Sequence, residues 1–378
     1  MKREIRVMFK NVVKLFYKTL WFFPVKKNKI VFSAFGARTY GDNPKYIAEK
    51  LLHEKSKYDL VFVLRNTNVE LPKGIRKVKY QTIGFLYEMA TAKIWIDNTR
   101  KETYIPKRKE QFYIQTWHAG LCLKKIEKDV EEKLAKSYVE TAIEDSKKID
   151  LLITNSDWGE EQLKRCFWYN GEILKTGSPR VDILFENNEQ LKGKLKEQFK
   201  ITDEKILLYA PTFRDDKDTK VYNIDYERLT NNLHARFKNN WKILVKLHPN
   251  ISSIDFKLPE NVIDCSKYPD INELFTISDV MITDYSSCIF DFSNLKKPIF
   301  LYATDLEKYQ EERDTYFDLN ELPFPLCKNN TELENSILNF NENEYLTKLN
   351  KFHKNMGLME DGKATQRIVS IIKSEMEK

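Results

Sequence analysis

Across 378 residues there are only 11 glycines, 12 prolines and 5 cysteines, and each scarcity removes a class of protein. So little glycine and proline excludes a collagen-like or low-complexity disordered chain. The cysteines, Cys122, Cys166, Cys265, Cys288 and Cys327, are odd in number and widely spaced, with no CxxC pair and no His/Cys metal spacing. Reduced thiols are therefore expected, with neither a structural disulfide nor zinc. No stretch approaches the ~20 largely apolar residues that span a bilayer, and no apolar run with a small-residue cleavage site marks a secretory signal. Also missing are a GxGxxG fingerprint, a carboxylate cluster of metal-binding type, a solenoid-length repeat, and any helix-turn-helix or aromatic RNA-binding signature. Nucleic acid is accordingly not an expected partner.

What is present is enough apolar material for real cores, 42% hydrophobic and 13% aromatic residues. The length exceeds one ordinary core, so two α/β domains are expected. A formal charge of +7 favours an anionic partner without saying which kind.

Residues 2–19, read as a helix, put Arg3, Arg6, Lys10 and Lys14 on one face and Ile5, Met8, Phe9, Val12, Leu15 and Phe16 on the opposite one, followed by Trp21, Phe22 and Phe23. Such a helix can lie on a membrane but not cross it. The other reading packs its apolar face on the protein itself. Residues 1–28 are read as an amphipathic membrane-associating segment.

From Lys29 onwards, short apolar runs alternate with amphipathic stretches, as buried parallel strands joined by crossover helices do. Strands are expected over 29–35, 58–64, 92–97, 111–117 and 150–156, then over 206–212, 241–249, 262–266, 279–286 and 297–303. The charged stretch 186–200 reads as a helix opening a new unit. The expected domains are a Rossmann-like acceptor domain, 29–185, and a Rossmann-like donor-nucleotide domain, 186–378. The polar, helical tail from about Thr331 could also return to brace the first.

Open α/β sheets bind ligands beyond the carboxyl ends of their strands, and the chemistry-bearing residues fall there. His118 ends QFYIQTW; an imidazole there could remove a hydroxyl proton at neutral pH, or serve as a structural hydrogen-bonder. His248 ends ILVKL and is followed by Pro249, which stops the strand. DVMITDYSSCIFDF, 279–292, reads as a strand, a turn at Asp284-Tyr285, and a helix opened by Ser286 and Ser287. That helix start is either a phosphate site or an ordinary serine cap. Thr212 and Arg214 in YAPTFRDD, and Arg180 in TGSPR, offer hydroxyl and guanidinium groups for phosphate oxygens, or ion pairs on the surface.

Together, VFSAFGARTYGDNPKYI (31–47), QTWHAGLCLKK (115–125), LITNSDW (152–158), TGSPRVDIL (176–184), YAPTFRDD (209–216), VKLHP (245–249) and ITDYSSCIFDF (282–292) resemble the CDP-glycerol glycerophosphotransferase family of teichoic-acid and capsule-polymer enzymes. The resemblance implies a GT-B architecture, two Rossmann-like domains facing a central cleft, with the donor held mainly by the C-terminal one. It implies a CDP-glycerol or CDP-ribitol donor, a polyol-phosphate or lipid-linked saccharide acceptor, and no metal or other cofactor. It further implies a peripheral position on the anionic cytoplasmic face of the cell membrane. By matching position, His118 is the implied base and His248 lies near the donor pyrophosphate, with Arg214, Ser286 and Ser287 at donor-phosphate positions. Arg180, Thr212 and Asp284 complete the expected set. The family commonly has His-Gly-Thr where this chain has His118-Ala119-Gly120, so the threonine hydroxyl is missing.

The expected reaction is attack of an acceptor hydroxyl, deprotonated by His118, on the alditol-bearing phosphorus, with CMP leaving. The alternatives are a GT-B glycosyltransferase or nucleotide-sugar epimerase, and a non-catalytic protein that docks on a membrane surface.

Overall fold

The computed structural model describes residues 2–54, 57–214, 220–247 and 258–378, and the side chains of all these except 2–7 and 220. The chain divides into two compact units, one formed by residues 1–120, 126–182 and 359–378, the other by 121–125 and 183–358.

The first unit is built on seven parallel strands, β1 (Lys26–Ser33), β2 (Asp59–Leu64), β3 (Ile75–Lys79), β4 (Ala92–Asp97), β5 (Phe112–Gln115), β6 (Leu151–Thr154) and β7 (Glu172–Lys175). Their order is β3-β2-β1-β4-β5-β6-β7, so the strand order reverses between β1 and β4. Alternation along β1 and β4 sends Ile30, Phe32, Ile94 and Ile96 to one face, and Val31 and Trp95 to the other. Both faces are covered, which is why these strands read as unbroken apolar runs.

The last helix, Ala364–Glu377, lies within the stretch assigned to the second domain but packs on this first unit, the return of the tail that the sequence reading held open. Its Ile368, Val369 and Ile372 are fully buried in the cluster of Ile30, Phe32, Ile47 and Leu51. Each such side chain contributes about 1.5–3 kcal/mol by leaving water, and that apolar stripe is what draws the tail back.

The second unit has six parallel strands, β8 (Lys205–Ala210), β9 (Trp241–Val245), β10 (Val262–Asp264), β11 (Val280–Thr283), β12 (Ile299–Tyr302) and β13 (Leu326–Cys327). They run in the order β10-β9-β8-β11-β12-β13, with the reversal between β8 and β11. The short segment 121–125, which follows the His118 loop in the chain, belongs here. Lys124 bridges Thr315, Lys125 N–H donates to Asp314 O (2.9 Å), and Tyr316 N–H donates to Leu123 O (2.8 Å).

The helix Lys2–Thr19 meets the first unit through a face that the sequence did not single out. Tyr17 is fully buried, Leu20 is buried, Val13 and Trp21 pack against the same cluster, and Lys10 pairs with Glu102 at 3.4 Å. Of the expected apolar face, Met8, Phe9, Val12 and Leu15 remain 61–70% exposed and Phe16 42%, the side chain of Ile5 lies outside those described, and Phe22 is 93% exposed. Among the described residues no helix is long and apolar enough to cross a membrane.

Candidate functional site

Polar side chains gather in each unit where its strand order reverses, the position at which open α/β sheets hold ligands. In the first unit β5 ends at Gln115, and Trp117 takes a left-handed φ of +48°, which turns the chain and presents His118. Gln115 Oε1 secures this turn by accepting the Trp117 N–H at 2.9 Å. His118 is half-buried, its ring 4.3 Å from that of Trp117 and 5.6 Å from that of Phe35.

His118 Nδ1 lies 2.9 Å from the main-chain oxygen of Asn98, just beyond β4. A carbonyl only accepts, so Nδ1 carries the proton and Nε2 keeps its lone pair. Burial lowers the imidazole pKa most strongly, and Arg180 lowers it further. The Asn98 hydrogen bond and the charges of Asp42 and Glu127 oppose this without reversing it. A neutral imidazole with a free Nε2 near neutral pH can act as a general base.

Arg180 belongs to the same cluster of the first unit. Its Nη1 is 3.4 Å from Asp42 Oδ2, and its main-chain N–H donates to Asn43 Oδ1 at 3.0 Å. Asn43 Nδ2 in turn donates to Trp117 O at 3.1 Å, so the start of the helix Asp42–His53 and the TGSPR turn brace the histidine loop.

Gly120 answers the departure noted in the sequence. A Cβ at this position would stand 2.1 Å from Asn155 Nδ2, and Asn155 is held by Glu360 Oε1 at 2.8 Å. The space for a side chain at 120 is thus taken by Asn155. Gly120→Ala is expected to displace that amide and lower turnover about tenfold or more, since small misplacements near reacting groups are costly. Asn155→Gly in the same chain should restore part of the loss, which steady-state rates of the single and double variants will check.

In the second unit Arg214 follows β8, and all five of its N–H groups are engaged by protein partners. Nε and Nη2 bind the Asp305 carboxylate (2.6 and 3.0 Å), Nη2 also binds Asp284 Oδ2 (2.9 Å), and Nη1 binds Thr212 O and Oγ1 (both 2.8 Å). A phosphate could reach this guanidinium only by displacing one of these partners, so as folded Arg214 organises the loop. Asp284 is a scaffold too, its Oδ1 accepting the N–H groups of Thr212 (2.9 Å) and Tyr285 (2.6 Å). A carboxylate in that role would repel a phosphate rather than bind it.

Tyr285 stacks on Tyr309 at 3.6 Å, and its hydroxyl donates to Asp305 Oδ1 at 3.0 Å. Burial works to raise the Asp305 carboxyl, but the Arg214 hydrogen bond and charge, with Tyr285, hold it below the usual carboxylate range. Ser287 Oγ accepts the Leu123 N–H at 3.0 Å, which leaves its own proton free to donate, whereas Ser286 Oγ accepts the Cys288 N–H at 3.4 Å. The following helix, Cys288–Phe292, has only five residues, so most of any anion affinity here must come from hydroxyl and loop N–H groups. Burial pushes the Cys288 thiol up to about 12, which removes it as a nucleophile.

The structure thus brings Arg180 to His118 in one unit and gathers Thr212, Arg214, Asp284, Ser286 and Ser287 in the other. His248 lies outside the described residues. Sequence reasoning missed Asp42, Asn98 and Asp305; the only signal for Asn98 and Asp305 is that each follows an apolar strand. A hollow of about 520 Å³ lined by Arg236 and residues 338–343 contains none of these groups.

Two parallel α/β units of this strand order, each with polar groups where the order reverses, define the GT-B-like class. The match to known proteins is narrower. The chain belongs to the CDP-Glycerol:Poly(glycerophosphate) glycerophosphotransferase family, whose model matches residues 15–374. It is 31% identical to the teichoic acid poly(glycerol phosphate) polymerase of Bacillus subtilis, across 98% of this chain but 52% of that protein, so it spans about half of that relative's length. It is also 31% identical to the teichoic acid glycerol-phosphate transferase of Staphylococcus aureus, across 98% of this chain and 99% of that one. A solved structure of the wall teichoic acid polymerase TagF superposes with a TM-score of 0.85 at 30% identity, covering 99% of this chain and 96% of that chain.

Proposed function

We propose that this chain moves glycerol phosphate, or another alditol phosphate, from a CDP-alditol to a hydroxyl of a teichoic acid or capsule-type polymer, or of its lipid-linked primer, releasing CMP. The observation that carries the reading is the His118 imidazole, with Nδ1 committed to the Asn98 carbonyl and Nε2 free. In the proposed step Nε2 takes the proton of the acceptor hydroxyl while its oxygen attacks the alditol-bearing phosphorus. The new P–O bond forms as the bond to the CMP phosphate breaks in line, and that electron pair leaves with CMP.

Ser286 and Ser287 bind donor phosphate oxygens, and by family likeness His248 lies beside the pyrophosphate. Thr212, Arg214 and Asp284 shape the donor loop, and Arg180 balances the charge of Asp42 near the base.

Incubating the protein with CDP-glycerol, CDP-ribitol and UDP-sugars and measuring nucleotide release tests the proposal. CMP release from a CDP-alditol alone supports it. Hexose transfer or free sugar would support the glycosyltransferase or epimerase alternative, and no release with any donor would leave a non-catalytic surface protein.

The same reading puts the chain peripherally on an anionic membrane, at its cytoplasmic face. Its support is the outward apolar stripe of Met8, Phe9, Val12 and Leu15, continued by Phe22. Phe9→Glu together with Leu15→Glu is expected to move most of the protein from sedimented anionic liposomes to the supernatant without changing its unfolding midpoint. Equal sedimentation of variant and wild type would reject this placement.

A further inference from the structure

Asn98 belongs to none of the motifs, yet it holds two parts of the first unit's polar cluster at once. It follows β4 where the strand order reverses and is fully buried. Its Oδ1 accepts the Phe35 N–H at 2.7 Å, and its main-chain oxygen holds His118 Nδ1 at 2.9 Å. Among the described residues its Nδ2 has no hydrogen-bond partner.

Phe35 opens a run of three left-handed residues, with φ of +49°, followed by Gly36 at +63° and Ala37 at +65°. Two of the three are not glycine, so the turn needs external support. That support comes from the end of β4, where Asn98 takes the Phe35 N–H and Thr99 Oγ1 takes the Gly36 N–H at 3.1 Å.

An aspartate at 98 would accept the Phe35 N–H equally well and would leave no orphaned amide. It would also put a negative charge next to the carbonyl on which the imidazole rests, and so favour imidazolium. Asp42 and Glu127 already pull His118 in that direction, against burial and Arg180. The neighbouring Asp97 carboxylate is neutralised by Lys101 at 2.6 Å. A buried N–H pair without a partner is costly, a cost that fits a position where neutrality matters more than satisfaction.

We infer that Asn98 is a positioning residue for the transfer assigned to His118: its neutral side chain clamps the Phe35–Ala37 turn and steadies the carbonyl that fixes the imidazole. This rests on the reading of His118 given above.

The test measures CMP release from CDP-glycerol by Asn98→Leu, Asn98→Asp and His118→Ala across about pH 5 to 9, the range that brackets histidine titration. Asn98→Leu is expected to lower kcat about tenfold or more, with donor KM within about twofold. Asn98→Asp keeps the clamp and should retain more of kcat, but the acid limb of kcat/KM moves up by about half a pH unit or more. A packing role alone would reduce the folded fraction of both variants and leave that limb in place. Wild-type kcat in Asn98→Leu, or an unmoved limb in Asn98→Asp, overturns the inference; if Asn98→Leu does not fold, the Asn98→Asp limb decides. Wild-type turnover in His118→Ala would defeat the reading of His118 itself, whereas an inactive His118→Ala beside indifferent Asn98 variants would defeat this inference alone.

Discussion

Replacing His118 with alanine is expected to lower transfer by about 10²- to 10⁴-fold, the usual worth of a positioned general base, while donor binding stays measurable. The imidazole is the half-buried group in its unit whose tautomer leaves a lone pair free, so its loss removes proton acceptance and little of the surrounding packing. The pH dependence follows from the same environment. Burial lowers the His118 pKa below its ordinary value, so the base form persists to lower pH than in a free histidine. The wild-type rate should therefore hold through neutrality and fall only as pH drops below about 6.5, the unperturbed histidine value. In His118→Ala that acid limb should disappear with the rate. A variant with near-normal turnover, or one that keeps the limb, would show that another group takes the proton.

The second large effect is on stability. Arg214→Ala removes the cation that Asp284 and Asp305 share, with side chains only 6%, 3% and 11% exposed respectively. Breaking a buried pair from one side costs about 3–5 kcal/mol, because the remaining charge is uncompensated. In the wild type Asp305 is held below its normal pKa, so the stability it contributes is present above about pH 4, the unfolded carboxylate value, and is lost as pH falls through the lower folded value. In Arg214→Ala the sign reverses. Burial now raises the carboxyl, the folded state binds the extra proton, and the deficit should shrink as pH falls from neutrality towards the unfolded value. Urea unfolding at mildly acidic and mildly alkaline pH measures both. Replacing Arg214, Asp284 and Asp305 together with neutral residues of similar size should recover much of the loss. If instead Arg214→Ala unfolds at the wild-type midpoint and binds donor more weakly, the guanidinium grips phosphate directly, as sequence position alone suggested.

What could be read without coordinates follows from burial. β2, β4, β8, β11 and β12 are nearly all covered by neighbours, as is β1 from Lys29 onwards, so they appear as continuous apolar runs. β3, β7 and β13 escaped notice because they stand at sheet edges, where one side meets solvent and segments such as Ile75–Lys79 carry charges. The first helix was legible as a helix, but not which face meets the protein, because Val13, Tyr17 and Leu20 make a narrower stripe than the exposed one. His118, Arg214, Asp284 and the two serines were visible as strand-end residues. The engagement of all five Arg214 N–H groups was not, since it depends on Asp305, 91 residues away in sequence. Asn98 was equally hidden, because its significance comes from two partners, Phe35 and His118, that only the sheet brings to it.

The most direct test of the whole account supplies the protein with CDP-glycerol and a lipid-linked acceptor, and follows acceptor mass and CMP together. The account predicts growth by glycerol-phosphate units, one CMP for each unit added, abolished in His118→Ala. Growth by sugar units, or CMP formed without any gain in acceptor mass, would contradict it.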